Sequence, residues 1–200
     1  MSLNNVDVVV IGAGVAGFSA AISAAEKGKS VILIERNNAI GGNAIQSNVG
    51  TICGAYYRTA SEEMRMVEHP MVQRIVSGLH SSPKLLENGL VVVPYDVSAF
   101  NELLKKQLEQ HKNIDLWLSS DIISAEVDNK TITAFHVQRK NELKKISASA
   151  YVDTSGNGVL SVLLGHEMIS SATYQRASQV FEVKKVDSNN EFSLNFAITK

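Results

Sequence analysis

The chain has 200 residues, 44% of them hydrophobic, enough for one well-packed core or for one domain and part of another. Its 20 acidic and 19 basic side chains nearly cancel, so no basic field marks a surface for nucleic acid. A single cysteine, Cys53, excludes an internal disulfide framework and a multi-cysteine zinc or iron–sulfur site; it fits a reducing compartment, so the expected location is cytoplasmic.

Residues 1–5 carry no basic region, and the apolar run that follows is broken by glycines within six residues, so neither a signal peptide nor a membrane span is expected. Residues 6–11 form a β-branched run of the kind that makes a buried parallel strand. It enters Gly12-Ala13-Gly14-Val15-Ala16-Gly17, a G-x-G-x-x-G turn, and then an Ala-rich helix over 18–27 that Gly28 ends. A second buried strand over 30–34 carries Glu35 at its C-terminal end, 23 positions after Gly12. Strand, glycine turn, helix, strand and acid, in this order, make the dinucleotide-binding fingerprint. Gly12 allows the turn, Gly14 lets the backbone approach a pyrophosphate, and Gly17 lets the helix pack on the strand. Phosphates would then take the free N–H groups of the helix start at Val15 and Ala16. Glu35 would accept hydrogen bonds from the adenosine ribose, and its charge disfavours a phosphate there, so NADP is not expected.

After four intervening residues Arg36 is followed by Gly41-Gly42 and then Asn43-Ala44, giving R-x-x-x-x-G-G. On these residues the sequence resembles the flavoprotein superfamily of glutathione reductase, fumarate reductase and the amine and amino-acid oxidases. The resemblance implies FAD rather than NAD, with Arg36, Gly41, Gly42, Asn43 and Ala44 beside the pyrophosphate and ribityl chain. A second backbone segment without side chains suits the extended part of a long cofactor. In that superfamily the stretch after the glycine pair passes near the isoalloxazine ring, which makes Thr51 and Asn43 polar contacts to the ribityl chain or ring. Cys53 is read first as a packing residue, with a redox thiol or a covalent flavin tether as the alternatives. Tyr56 and Tyr57 line a substrate pocket or fill core; Cys53 and Tyr56 are the candidates for catalysis.

From 60 to 90 the pattern is that of an amphipathic helical cap interrupted by Pro70, or of a contact surface. Residues 91–95 read as extended, and Ser98 as the cap of a helix over 99–111. His69, His80 and His111 are too scattered for a ligand set, so no metal site is expected. A strand over 114–118 continues through 119–121 to Ile122 and Ile123. An antiparallel excursion follows over 121–147, with its turn at Asp128-Asn129-Lys130. The resemblance carries an adenine contact onto Ile122 or Ile123, with Ile123 entered in the cofactor set and plain sheet core as the alternative.

Residues 148–153 form a strand that delivers a second glycine turn, Thr154-Ser155-Gly156-Asn157-Gly158, and then a helix over 159–164 stopped by Gly165. This resembles the A-T-G-D-G-D-L stretch of FAD-dependent oxidoreductases, with Ser155 in the threonine place, Asn157 in the first aspartate place and Val159 in the second. Thr154, Gly156 and Asn157 enter the cofactor set on that basis. The resemblance is strong over 6–44, moderate over 148–165 and loose elsewhere.

The expected fold is α/β, a Rossmann-like FAD-binding domain over 1–170 with a central parallel sheet, the helical cap and the antiparallel excursion. Residues 171–200 are expected to begin a substrate domain with strands at 179–183 and 192–198. Because the chain stops at Lys200, a second polypeptide or a missing C-terminal part is expected to cover those strands and complete the flavin pocket. No Ser-His-Asp set, H-E-x-x-H, spaced carboxylate pair or P-loop supports a hydrolase or kinase. The resemblance therefore implies an FAD-dependent dehydrogenase or oxidase component that takes hydride from a small organic substrate onto flavin N5. The alternative is a non-catalytic FAD-holding subunit of a hetero-oligomer. Partners are a second polypeptide and a small molecule, without nucleic acid or membrane.

Overall fold

The structure is a computed structural model that describes residues 4–129, 131–169 and 173. In chain order the elements are β1 (Asn4–Ile11), α1 (Val15–Glu26), β2 (Val31–Ile34), α2 (Asn43–Gln46), β3 (Thr51–Cys53), β4 (Tyr56–Arg58), β5 (Met64–Met66) and α3 (Pro70–Gly78). There follow β6 (Lys84–Leu85), β7 (Val91–Pro94), α4 (Val97–Glu109), β8 (Ile114–Trp117), β9 (Ser120–Asp128), β10 (Thr131–Arg139), β11 (Glu142–Asp153) and α5 (Val159–Leu163).

Six strands form the main sheet in the order β8-β2-β1-β11-β10-β9. The first four are parallel, and β10 and β9 join antiparallel through hairpins. The side-chain period of two splits β1 and β2 between opposite faces. Val10, Val31 and Leu33 join Phe18, Ile22, Phe100 and Leu104 in a core under α1 and α4. Val9, Ile11, Ile32 and Ile34 join Trp117, Phe135, Val137 and Ile146 on the other face. Burial on both faces explains why the first two strands are continuous apolar runs.

β11 changes partner along its length. Residues from Glu142 to Ile146 pair with β10, while residues from Ile146 to Asp153 pair with β1. The antiparallel excursion therefore shares a strand with the parallel sheet, and its apolar residues pack against the same core as β1 and β2. Between β2 and β8 the chain inserts a three-stranded sheet, β3-β7-β6, and the hairpin β4-β5.

Three local readings of the sequence differ from the structure. The stretch 60–90 is not a helical cap interrupted at Pro70: residues 64–66 pair as β5 with β4, Pro70 opens α3, and residues 84–85 pair as β6 with β7. Proline suits the first helical turn, whose N–H groups lack helical partners, and His69 Nδ1 caps the turn by accepting from Met71 N–H at 3.2 Å. Asp96, not Ser98, caps α4, accepting from Ala99 N–H at 2.8 Å. β8 and β9 are separate strands because Ser119 adopts φ 49°, which turns the chain out of the parallel sheet. The strands expected at 179–183 and 192–198, with the second domain they were to begin, lie outside the described residues.

Candidate functional site

β1 lies inside the sheet with β2 and β8 to one side and β11 to the other, so the chain direction of connection reverses between β1 and β11. Open α/β sheets bind ligands at such a point, beyond the C-terminal ends of the strands. Both glycine turns sit there. Thr154 joins them: its N–H donates to Ile11 O at 2.8 Å, and its Oγ1 donates to Ile11 O at 2.7 Å and Gly12 O at 2.8 Å.

The glycines of the first turn have different physical reasons. Gly12 has φ +93°, and a Cβ there would lie 2.7 Å from Thr154 O. A Cβ on Gly17 would fall on Gly12 O and within 2.6 Å of Thr154 Oγ1. Gly14 needs neither relief: its φ is −65°, and a Cβ would meet only Gly42 Cα at 3.9 Å. At that same position α1 begins with no side-chain cap and no acid in its first turn. Val15 and Ala16 occupy this turn, with Ala16 exposed. Open space in front of uncapped backbone donors is the arrangement a pyrophosphate needs.

Glu35 is buried at the end of β2, only 6% exposed, and a buried carboxylate needs partners. Its Oε2 accepts from Ala13 N–H at 2.8 Å, and its Oε1 accepts from Asn37 N–H and Nδ2, both at 2.9 Å. With Gly12, Arg36, Ile122 and Asn157 it lines a cleft of about 110 Å³. Ile123 does not line this cleft. It is 55% exposed, because successive strand residues face opposite sides, and Ile122 is the one of the pair that faces inward.

The glycine pair folds back onto the first turn. Gly41 N–H donates to Ala13 O at 2.7 Å, Gly14 and Gly41 form an isolated parallel bridge, and a Cβ on Gly42 would lie 3.0 Å from Gly14 Cα. Asn43 is exposed at the start of α2. From here a second cavity of about 400 Å³ opens, lined by Val15, Ala44, Thr51, Cys53, Tyr95 and Phe100 among others. Tyr95 holds the segment before it at two points, donating from its hydroxyl to Ala44 O and from its N–H to Gly50 O, both at 2.8 Å. Burial raises the Tyr95 pKa above its ordinary value against the opposing effect of the Gly50 backbone. Cys53 is exposed at the cavity wall. Tyr56 is elsewhere, packed against the small cluster of Ala55, Val76 and Val93.

The second turn spends its polar groups internally. Besides the Thr154 bonds, Asp153 accepts from Ser155 N–H at 2.9 Å, Ser155 Oγ at 2.6 Å and Leu160 N–H at 2.8 Å. Gly156 has φ +81° with nothing near its missing Cβ, and Asn157 reaches the cleft. Asn37, Tyr95 and Asp153 were not singled out from sequence. Asp153 had a signal, an aspartate just before a glycine turn, whereas the partners of the other two depend on tertiary contact.

A profile described as FAD dependent oxidoreductase matches residues 7–199. The chain belongs to this FAD dependent oxidoreductase family. The match covers nearly the whole chain, beyond the segments that carry the resemblance in the sequence. The flavoprotein is similar to the soluble pyridine nucleotide transhydrogenase of Chromohalobacter salexigens, 29% identical over 161 residues that make up 78% of this chain and 32% of that protein. It is similar to the fumarate reductase (cytochrome) of Shewanella frigidimarina, 66% identical over 41 residues, 20% of this chain and 7% of that one. Its fold is also that of Mycobacterium smegmatis Sdh1, with a TM-score of 0.55 at 15% identity over 76% of this chain and 34% of that chain.

The chain thus spans about a third of the transhydrogenase it matches, 32% of its length. The flavoprotein's own geometry suits FAD, an elongated anionic dinucleotide: Gly14 leaves open ground before uncapped donors, and a buried carboxylate stands at one end of that ground. No helix among its described residues is long and apolar enough to cross a membrane.

Proposed function

We propose that this chain is the FAD-holding part of an oxidoreductase that takes hydride from a small organic substrate, completed by a second polypeptide or a further part of the same protein that supplies the rest of the substrate domain and flavin pocket. The observation that carries the reading is Gly14, a glycine that neither backbone conformation nor packing requires, standing at an uncapped helix start. When bound, FAD supplies a hydride acceptor at N5 and passes the electrons on.

The chain's own residues bind and orient. Gly14, Val15, Ala16 and the Gly41-Gly42 pair would hold the pyrophosphate, since N–H groups and the helix dipole there favour negative charge. Glu35 accepts from the adenosine ribose in the cleft, with Arg36, Ile122 and Asn157 around it. Asn43, Ala44 and Thr51 lead from the pyrophosphate into the apolar cavity, whose walls exclude water from the flavin end. Thr154 supports this set by fixing the first turn rather than by touching the ligand, and Gly156 gives the second turn its bend at φ +81°. Cys53 serves as a wall residue, and its place as the only cysteine supports a cytoplasmic setting.

Extraction of the purified protein followed by mass analysis tests the reading. FAD released on acid precipitation is expected; NAD, or no cofactor with the partner present, would remove it, and flavin left on the Cys53 peptide would reassign that residue as a tether. Glu35→Ala is expected to weaken FAD binding by about 1.5–3 kcal/mol, roughly 10- to 150-fold in dissociation constant, by deleting charge-assisted hydrogen bonds.

A further inference from the structure

Asn37 lies two residues beyond the buried carboxylate, in the loop between β2 and the glycine pair, and it ties together three segments of the site. Its N–H and Nδ2 both donate to Glu35 Oε1 at 2.9 Å. The same Nδ2 reaches Gln46 Oε1 at 3.3 Å at the end of α2, and the Asn37 carbonyl accepts from Ser119 N–H at 2.9 Å in the connection from β8 to β9. An ionised carboxylate has about four acceptor positions. Asn37 fills both on Oε1, and Ala13 N–H fills one on Oε2 at 2.8 Å. One acceptor position remains, and it is on Oε2.

We propose that Asn37 is a positioning and specificity residue for the adenosine ribose: by saturating Oε1 of Glu35 it fixes the plane of the carboxylate and leaves Oε2 to accept a single ribose hydroxyl. The proposal rests on the reading that Glu35 faces the ribose. Without the Asn37 amide, the carboxylate keeps only the two backbone donors, and the end of α2 loses its tie to the ribose side of the site. The residue acts through Glu35, so its effect belongs to the hydroxyls of the ligand and not to the rest of FAD.

The test uses the full chain freed of flavin and measures, by calorimetry, its affinity for FAD and for an FAD analogue whose adenosine ribose lacks both hydroxyls. The wild type is expected to prefer FAD. Asn37→Ala is expected to lose about three- to tenfold in FAD affinity, the scale of one hydrogen bond, and about twofold or less for the analogue. Added to Glu35→Ala, it is expected to cost nothing further, because two residues acting as one unit are not additive. Asn37→Ser, which keeps the backbone bond and a small polar side chain, is expected to show the same selective loss and serves if the alanine variant folds poorly. Equal losses on both ligands, an unchanged FAD affinity, or additivity with Glu35→Ala would overturn the role of Asn37 while leaving the ribose assignment of Glu35 in place. A wild type that does not distinguish FAD from the analogue would overturn both.

Discussion

The two glycine turns look alike in sequence and sit side by side at the end of the sheet, yet they do different physical work. In the first, two glycines are demanded by the protein itself, Gly12 by its φ and Gly17 by the space it denies a Cβ, while Gly14 is left with open ground in front of it. In the second, the glycines provide backbone conformation, Gly156 at φ +81° and Gly158 at φ +65°, and the Asp153, Thr154 and Ser155 side chains bond within the protein while Asn157 faces the cleft. Asp153 and Ser155 close the second turn on itself, and Thr154 bolts it to Ile11 and Gly12. A glycine-rich turn therefore carries two separable meanings, a place for a ligand and a way to bend, and the test between them is whether backbone conformation or packing already demands the glycine.

Substitutions can break this division of labour. The largest effect is expected at Gly17, where alanine would drive a Cβ into Gly12 O and Thr154 Oγ1 at once. Helix α1 must then lift from β1, and a loss of about 3 kcal/mol or more in denaturant unfolding is expected, in the range of severe overpacking. Gly14→Ala should do the reverse of this. With φ at −65° and only an ordinary contact to Gly42, stability without cofactor should hold or rise by about 0.4–1 kcal/mol. FAD binding should fall by about 1–3 kcal/mol, because the methyl takes the ground meant for the ligand. A Gly14→Ala protein that binds FAD normally would erase the contrast between the turns.

Thr154→Val keeps the shape and removes the bolt. Stability is expected to fall by about 1–3 kcal/mol, since Ile11 O and Gly12 O lose a donor in a part-buried place, with FAD affinity following only as far as the first turn loosens. A change in affinity larger than the change in stability would show that Thr154 touches the ligand after all. The smallest effect concerns pH. Burial alone would raise the Asp153 pKa, but the bonds from Ser155 Oγ, Leu160 N–H and Ser155 N–H outweigh it and hold the pKa below the ordinary 3.8. A lowered folded-state pKa means stability that is present above that ordinary value and lost as pH falls through the folded one. Unfolding measured between about pH 5 and 2 should thus fall less steeply for Asp153→Asn than for the wild type.

Much of the candidate site was legible because its signals are local. A glycine turn between a β-branched strand and an Ala-rich helix, an acid at the next strand end and a glycine pair after it lie within 44 residues, and each is a demand of backbone geometry on one short segment. The elements that went astray were those whose state depends on partners far away in the chain. Residues 64–66 carry a helix-compatible pattern, but Tyr56, Tyr57 and Arg58 offer them a strand to pair with. Ile122 and Ile123 are indistinguishable in composition, and only the orientation of β9 over the cleft separates them.

The sequence by itself determined the first two strands, the two turns and the acid, since β-branched runs, positive-φ glycines and strand-end carboxylates follow from sterics and burial within a few residues. The tertiary structure alone decided which hydroxyl is spent as a bolt and how many acceptor positions Glu35 retains. Those properties belong to space between segments: Thr154 Oγ1 reaches Ile11 O and Gly12 O across the sheet, and Oε1 of Glu35 is closed by an amide whose own position is held by Gln46 and Ser119. Distances of this kind arise only when the parallel sheet has brought residues 12, 35 and 154 to one edge, and no pattern within any one segment encodes them.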